Sequence, residues 1–228
     1  GKVTSSSFIQ ASSMLLTGSE DKSVRTWDPR RGSSVEYSAP DEILDCRPSP
    51  DGTKVLAACK NSLLLIWDTR KADKTLMELG GHSDWVTCCE YSSDGNSILS
   101  GSSDRSMKLW DAKTGKMTQT FEGHTEAVNG CRFCGQWVVS CAGNRFWGSK
   151  DNRAVMWDPE TGDSKRQLNG HTDALMGLDT NKATARIVTA GMDKTIRVWD
   201  AFVPDKKRKE KDDSSSGPRK HECKLGCK

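Results

Sequence analysis

Leucine, isoleucine, valine and phenylalanine are scarce in this 228-residue chain: together they number 38, or 17% of it. A fraction that low accompanies disorder when net charge is also high. Here charge of one sign is lacking too, with 34 basic residues against 31 acidic and a net charge of +3, so disorder does not follow. No apolar run reaches the ~18 residues that a membrane-spanning helix needs, and no secretion signal is visible at the start; a soluble chain is expected. Gly1 is not an initiator methionine, which suggests a start inside a longer protein. Neither a phosphate-cradling glycine loop nor a nucleophile-elbow motif occurs, so two common signatures of catalysis are missing.

What is present begins with eight tryptophans. Each can bury roughly 150–250 Å², area that the aliphatic count leaves out, and a folded, polar-rich β protein is the expected class. The nine cysteines are odd in number and lie mostly in apolar, strand-like stretches. There a reduced thiol acts as a small hydrophobe, which favours a reducing compartment. In "CRFC", Cys131 and Cys134 read as strand packing and not as a redox pair.

Trp-Asp pairs recur at 27/28, 67/68, 110/111, 157/158 and 199/200, in steps of 40, 43, 47 and 42 residues. A fixed period of that size signals a repeat architecture. The fullest copy, "GHSDWVTCCEYSSDGNSILSGSSDRSMKLWD" (81–111), holds three β-rich runs separated by "SSDGN" and "SSDR". The separators have turn composition, and with "MTQTFEG" after them the runs predict a four-stranded meander. So many Gly, Ser and β-branched residues disfavour helix. Gly-His pairs at 81/82, 123/124 and 170/171 precede the matching tryptophans by 28, 33 and 28 residues, counted from the histidine.

With these features the chain resembles the WD-repeat β-propeller family over roughly residues 2 to 201. The resemblance implies an all-β fold of five four-stranded blades, either as a five-bladed unit or as an open segment of a larger propeller. Its repeats fall at about 1–38, 39–80, 81–122, 123–169 and 170–202, and a disordered basic tail follows over 203–228. Neither terminus offers an obvious closing strand: Val3 aligns with Val86, and "AFVPDKKRKEKDD" is highly charged. The resemblance further implies a buried polar chain in each blade, comprising His82, Ser100, Asp104 and Trp110; His124, Ser140, Asp151 and Trp157; and His171, Thr189, Asp193 and Trp199. The first copy keeps Thr17, Asp21 and Trp27. The second has Ala39, Ala57 and Asn61 in place of His, Ser/Thr and Asp, which predicts a blade held by packing. Recurrence of one spacing in every copy favours a structural over a catalytic role for these His and Asp residues.

Function is therefore expected in surface residues: a non-enzymatic scaffold with other proteins as partners, no cofactor, no metal, no membrane and no small-molecule substrate, in the cytoplasm or the nucleus. Trp85 occupies a position where other copies have Glu42, Ala127 and Ala174. A seven-residue insertion in the fourth copy carries Arg145, Phe146, Trp147 and Lys150, residue types that suit either a partner contact or folding back on the blade. Trp137 reads as packing. "WDPR" and "WDTR" place Arg30 and Arg70 as in the Trp-Asp-x-Arg box through which some WD-repeat proteins dock on the adaptor of a cullin-based ubiquitin ligase; the alternative is a pair of surface arginines. The tail has nine basic and five acidic residues, so the repeats themselves carry a net −1. Its "KKRKEK", Lys206 to Lys211, suits nuclear import, RNA contact in a ribonucleoprotein, or a solvated end. His221, Cys223 and Cys227 are three ligand types without a fourth, and zinc is not expected.

Overall fold

The structure, a computed structural model, describes residues 1–143, 151–181 and 184–201, with the backbone alone of residue 73 and of 223–224. No described residue is helical. The first sheet holds β1 (Val3–Ile9), β2 (Met14–Ser19), β3 (Ser23–Asp28) and β4 (Ser33–Ser38). The second holds β5 (Ile43–Pro48), β6 (Lys54–Cys59), β7 (Leu64–Asp68) and β8 (Lys71–Leu79). The third has β9 (Val86–Tyr91), β10 (Ser97–Ser102), β11 (Met107–Asp111) and β12 (Met117–Phe121), and the fourth β13 (Val128–Cys134), β14 (Trp137–Ala142), β15 (Arg153–Trp157) and β16 (Ser164–Asn169). The fifth has β17 (Leu175–Asn181), β18 (Arg186–Gly191) and β19 (Thr195–Asp200), with β20 (Cys223–Lys224) at its edge. Every sheet is antiparallel with its strands in chain order, the meander that short polar turns impose.

Those turns are built by side chains that mimic backbone. Between the first and second strands, Asp51 and Asp94 accept the N–H two residues on, at 3.1 Å each, and a serine hydroxyl from the preceding strand end. Between the second and third strands the residue after the turn Asp or Asn is left-handed: Lys22, Ser62, Arg105 and Lys194 have φ of 63 to 71°. Between the third and fourth, the Asp of the Trp-Asp pair is the cap. Asp28, Asp68, Asp111 and Asp158 accept the N–H of Arg30, Arg70, Lys113 and Glu160 at 2.8 to 3.0 Å.

The first strands β1, β5, β9, β13 and β17 pack side by side in that order, and the core lies between consecutive sheets. At each junction a tryptophan of one blade sits on the apolar face of the blade before it. Trp67 packs with Leu16, Val24 and Tyr37, and Trp110 packs with Leu56, Leu64 and Leu79. Trp157 packs with Leu99, Met107 and Phe121, and Trp199 packs on Val139, Ala154 and Leu168. Backbones come close here: a Cβ on Gly101 would lie 2.6 Å from both Cys88 Sγ and Val128 Cγ1. Among the described residues, β17 does not pack on β1 as successive first strands pack on each other. Among the described residues the five blades therefore form an open arc.

At the edge of the last sheet Cys223 and Lys224 pair with Ile196 and Thr195, on a strand that would otherwise present a row of unpaired backbone groups. The rest of the tail, including Lys206 to Lys211, His221 and Cys227, lies outside the described residues.

Candidate protein-interaction surface

Local turn chemistry brings the recurrent His, Asp, hydroxyl and Trp residues together inside each blade. In the third blade His82 Nδ1 lies 2.8 Å from Asp104 Oδ2, His82 Nε2 lies 2.8 Å from Ser100 Oγ, and Trp110 Nε1 donates to the same Oγ at 2.8 Å. The fourth blade gives 2.9, 2.6 and 2.8 Å for His124–Asp151, His124–Ser140 and Trp157–Ser140. The fifth gives 2.8 Å for His171–Asp193, His171–Thr189 and Trp199–Thr189.

One arrangement of protons satisfies all of these. Indole N–H donates to the hydroxyl oxygen, the hydroxyl donates to Nε2, and Nδ1–H donates to the carboxylate. The second carboxylate oxygen accepts a hydroxyl two residues on, from Ser106 at 2.7 Å and Thr195 at 2.8 Å. In the fourth blade, where the turn is longer, Arg153 Nε takes that place at 3.1 Å.

The first blade shows the same end of the chain, with Trp27 Nε1 donating to Thr17 Oγ1 at 2.8 Å and Ser23 Oγ to Asp21 at 2.6 Å. The second has no hydroxyl at Ala57; Asn61 Oδ1 still accepts Leu63 N–H at 3.3 Å, and Trp67 is fixed by packing, its ring 6.0 Å from that of Tyr37. Ala39 packs partly buried against the same core.

Electrostatics follow from burial and donors. Burial pushes the Asp104 carboxyl up, but hydrogen bonds from His82 and Ser106 outweigh it and hold it well below the usual carboxylate range. Asp193, under the same opposing influences with Thr195, Thr172 and His171 as donors, is held at about 2. Asp151 is also lowered, against burial, chiefly by His124. Burial pulls His171 below its ordinary 6.5 despite Asp193. The His side chains are at most 1% exposed, so these trios sit inside blades and line no open cleft.

Several contacts between blades have no repeat signature in the sequence. Thr4 Oγ1 lies 3.0 Å from Gly18 O and 2.7 Å from Ile43 O, joining blades one and two. Thr87 Oγ1 reaches Gly101 O and Val128 O, and Asn129 Nδ2 reaches Gly143 O and Leu175 O, at equivalent places in the third and fourth blades. The second blade has Leu44 there, and Asp45 does the joining: it accepts Ser5 Oγ at 2.6 Å and Cys89 N–H at 3.2 Å.

Seven cysteines, at 46, 59, 88, 89, 131, 134 and 141, are buried. Burial raises Cys46 and Cys59 to about 12. Cys131 and Cys134 face different inter-blade cores, and Trp137 packs partly buried beside Cys134.

At the surface, Trp85 is 47% exposed. Lys60 of the preceding blade lies 4.4 Å from the centre of its ring and bonds Glu42 at 2.8 Å, a hydrogen bond that raises the Lys60 ammonium above its ordinary value. Only Trp85 of this group was legible from the repeat alignment; the lysine lies 25 positions away, in a degenerate copy.

Arg30 and Arg70 are exposed at the turns capped by Asp28 and Asp68. The Arg70 guanidinium folds onto its own Asp68 at 3.2 and 3.3 Å. Arg145, Phe146, Trp147 and Lys150 lie outside the described residues. Among the described residues no three His, Cys, Asp or Glu side chains converge as metal ligands, and no helix is long and apolar enough to cross a membrane.

Two outcomes test the buried chain. Ser100→Ala orphans His82 Nε2 and Trp110 Nε1 at once and should cost about 2–6 kcal/mol in denaturant unfolding, from about 1–3 kcal/mol per orphaned buried group. The pH dependence has a definite sign. The unfolded chain takes up the proton of His171 before the folded chain does, so its contribution is full above 6.5 and is lost as pH falls from 6.5 toward the lower folded value. Asp193 contributes fully above its ordinary 3.8 and loses that contribution as pH falls to about 2. Unfolding midpoints measured against pH should fall in these two windows, and Asp193→Asn should remove its share of the acid step.

Known proteins align with this geometry. The family described as "WD domain, G-beta repeat" matches residues 1–28, 33–68, 73–111, 115–158 and 162–200. The chain is similar to the "Periodic tryptophan protein 2 homolog" of Schizosaccharomyces pombe, 34% identical over 86 residues, 37% of this chain and 10% of that protein. It is similar to "Autophagy-related protein 16" of Arabidopsis thaliana, 32% identical over 75 residues, 32% of this chain and 14% of the other. With "WD repeat and SOCS box-containing protein 1" of Xenopus tropicalis it is 28% identical over 85 residues, 36% of this chain and 20% of the relative. The matches thus span a fifth or less of these relatives' lengths. Five matched repeats, each ending on the Trp-Asp pair at the third strand of one sheet and four of them starting at the outer strand of the sheet before, place the chain in the WD40 family.

Proposed function

We propose that this chain is a non-enzymatic scaffold that binds other proteins, with Trp85 as a principal contact residue. A WD-repeat fold supports a protein-interaction role in general, and the observation that singles out Trp85 is its exposed ring. An indole half open to solvent is unusual where the fold does not need one, and Glu42, Ala127 and Ala174 fill the equivalent places in neighbouring blades. The Lys60 ammonium over one face of the ring, tied in turn to Glu42, holds its orientation before any partner arrives. A preorganised aromatic loses less freedom on binding, and Trp is among the residues that dominate interface energetics. Trp85→Ala should weaken capture of protein partners from cell extract at least tenfold while leaving the unfolding midpoint unchanged. Undiminished capture would count against the assignment.

A second reading, docking on the adaptor of a cullin-based ubiquitin ligase, draws support from the exposed Arg30. The printed name of one relative includes a SOCS box. Of the two boxes, that of Arg30 is the better candidate, because Asp68 already engages Arg70. On this reading Arg30→Ala releases the adaptor in a pull-down and Arg70→Ala has the smaller effect. Failure of the unmodified chain to bind the adaptor removes the reading.

A further inference from the structure

Two Asn-Gly pairs occur in the chain, at 129/130 and 169/170. Asparagine is a chemically labile residue, and a following glycine exposes it most, because without a Cβ the glycine nitrogen can reach the side-chain carbonyl carbon. The fold treats the two pairs oppositely. Asn129 Nδ2 donates to Gly143 O at 2.8 Å and to Leu175 O at 2.9 Å, and Gly130 is buried within β13, in register with Cys141. Asn169 and Gly170 are both exposed. Asn169 ends β16, its side chain makes no hydrogen bond among the described residues, and Gly170 lies past the last pair of the ladder.

The surroundings of the second pair favour reaction. Gly170 lies beside a cation: a Cβ on it would fall 2.8 Å from Arg197 Nη1. A guanidinium there stabilises the negative charge that develops when the glycine nitrogen attacks a carbonyl. Gly170 is also the glycine of a Gly-His pair, at the link between the fourth and fifth blades. The residues before the other two such glycines are Gly80 and Glu122, neither of which carries a side-chain amide.

We propose that Asn169 is a site of spontaneous deamidation and isoaspartate formation, and that the fold protects Asn129 from the same fate. Gly170 N gives up its proton and attacks Asn169 Cγ; the bond from Cγ to the side-chain nitrogen breaks, and ammonia leaves with that proton. Water then opens the cyclic imide at either carbonyl, leaving an aspartate in the ordinary backbone or an isoaspartyl link. Both products act on the buried polar chains. Arg153 pairs in register with Asn169, and its guanidinium already holds Asp151 at 3.1 Å, Gln167 at 3.1 Å and Gly123 O at 2.7 Å. A carboxylate at 169 competes for it, since side chains directly opposite on neighbouring strands touch. The isoaspartyl link adds one carbon to the backbone just before His171, which must meet Asp193 and Thr189 at 2.8 Å each. The site is separate from Trp85 and Arg30.

Peptide mapping by mass spectrometry tests the proposal on the full chain, aged in mildly alkaline buffer both folded and in denaturant. In denaturant the two pairs should convert at similar rates. In the folded chain Asn169 should still convert, while Asn129 does so slower by about tenfold or more, as a modest rise in barrier requires. The aged folded chain should also accept methyl groups from S-adenosylmethionine in the presence of an isoaspartyl-directed carboxyl methyltransferase, and its unfolding midpoint should fall. Asn169→Gln, which keeps an amide but must close a larger ring, should lose both the methyl uptake and the fall in midpoint. Retention of Asn169 in the folded chain under conditions that convert it in denaturant would overturn the proposal. Conversion of Asn129 as fast as Asn169 in the folded chain would overturn it too, as would an aged midpoint that falls equally in the Asn169→Gln variant.

Discussion

A single hydroxyl oxygen in each complete blade holds the structure to one geometry. Ser100, Ser140 and Thr189 each accept from a tryptophan and meet a histidine that is itself held by the turn aspartate. Since the hydroxyls and the histidines are buried, they cannot exchange their partners for water without a large penalty, and the chain is worth more intact than its pairwise bonds suggest. The indole that begins this chain is also the side chain that lands on the preceding blade. One residue thus couples polar order within a sheet to apolar packing between sheets, which is why a sequence short of aliphatic residues can still build four inter-blade cores.

The second blade shows the limits of that requirement. Without a hydroxyl at 57 or a carboxylate at 61, it keeps the tryptophan and its packing, and it is the most aliphatic blade, with Leu56, Leu64, Leu65, Ile66 and Leu79 all buried. Polar order has been exchanged for hydrocarbon, as expected if either can fix a sheet. The same blade contributes Lys60 and Glu42 to the surface around Trp85, so the copy that departs furthest from the repeat is one from which the proposed interaction surface is built.

Much of this was legible in the letters because the chemistry demands fixed types at fixed intervals. An imidazole can bridge a carboxylate and a hydroxyl only if Gly-His, Ser/Thr, Asp and Trp keep their distances, and those distances recur. The inter-blade contacts were not legible, since Thr4, Thr87 and Asn129 share a geometry and not a residue type, and a threonine in a strand already has an ordinary explanation in β propensity. The role of the Asp in the first four Trp-Asp pairs, as acceptor for the N–H two residues on, was hidden for a different reason: a turn cap is local, whereas the repeat is marked by long-range partners. Cys223 and Lys224 could not be foreseen as a strand, because two residues carry no periodicity and the pairing spans a charged segment.

The central claim is a statement about protons, and nitrogen-detected NMR of the imidazole rings tests it most directly. If hydroxyls link the indoles to the histidines as described, His82, His124 and His171 carry a proton on Nδ1, with Nε2 showing the shift of an acceptor. A proton on Nε2 in these rings would require the hydroxyl to point elsewhere, and would contradict the account.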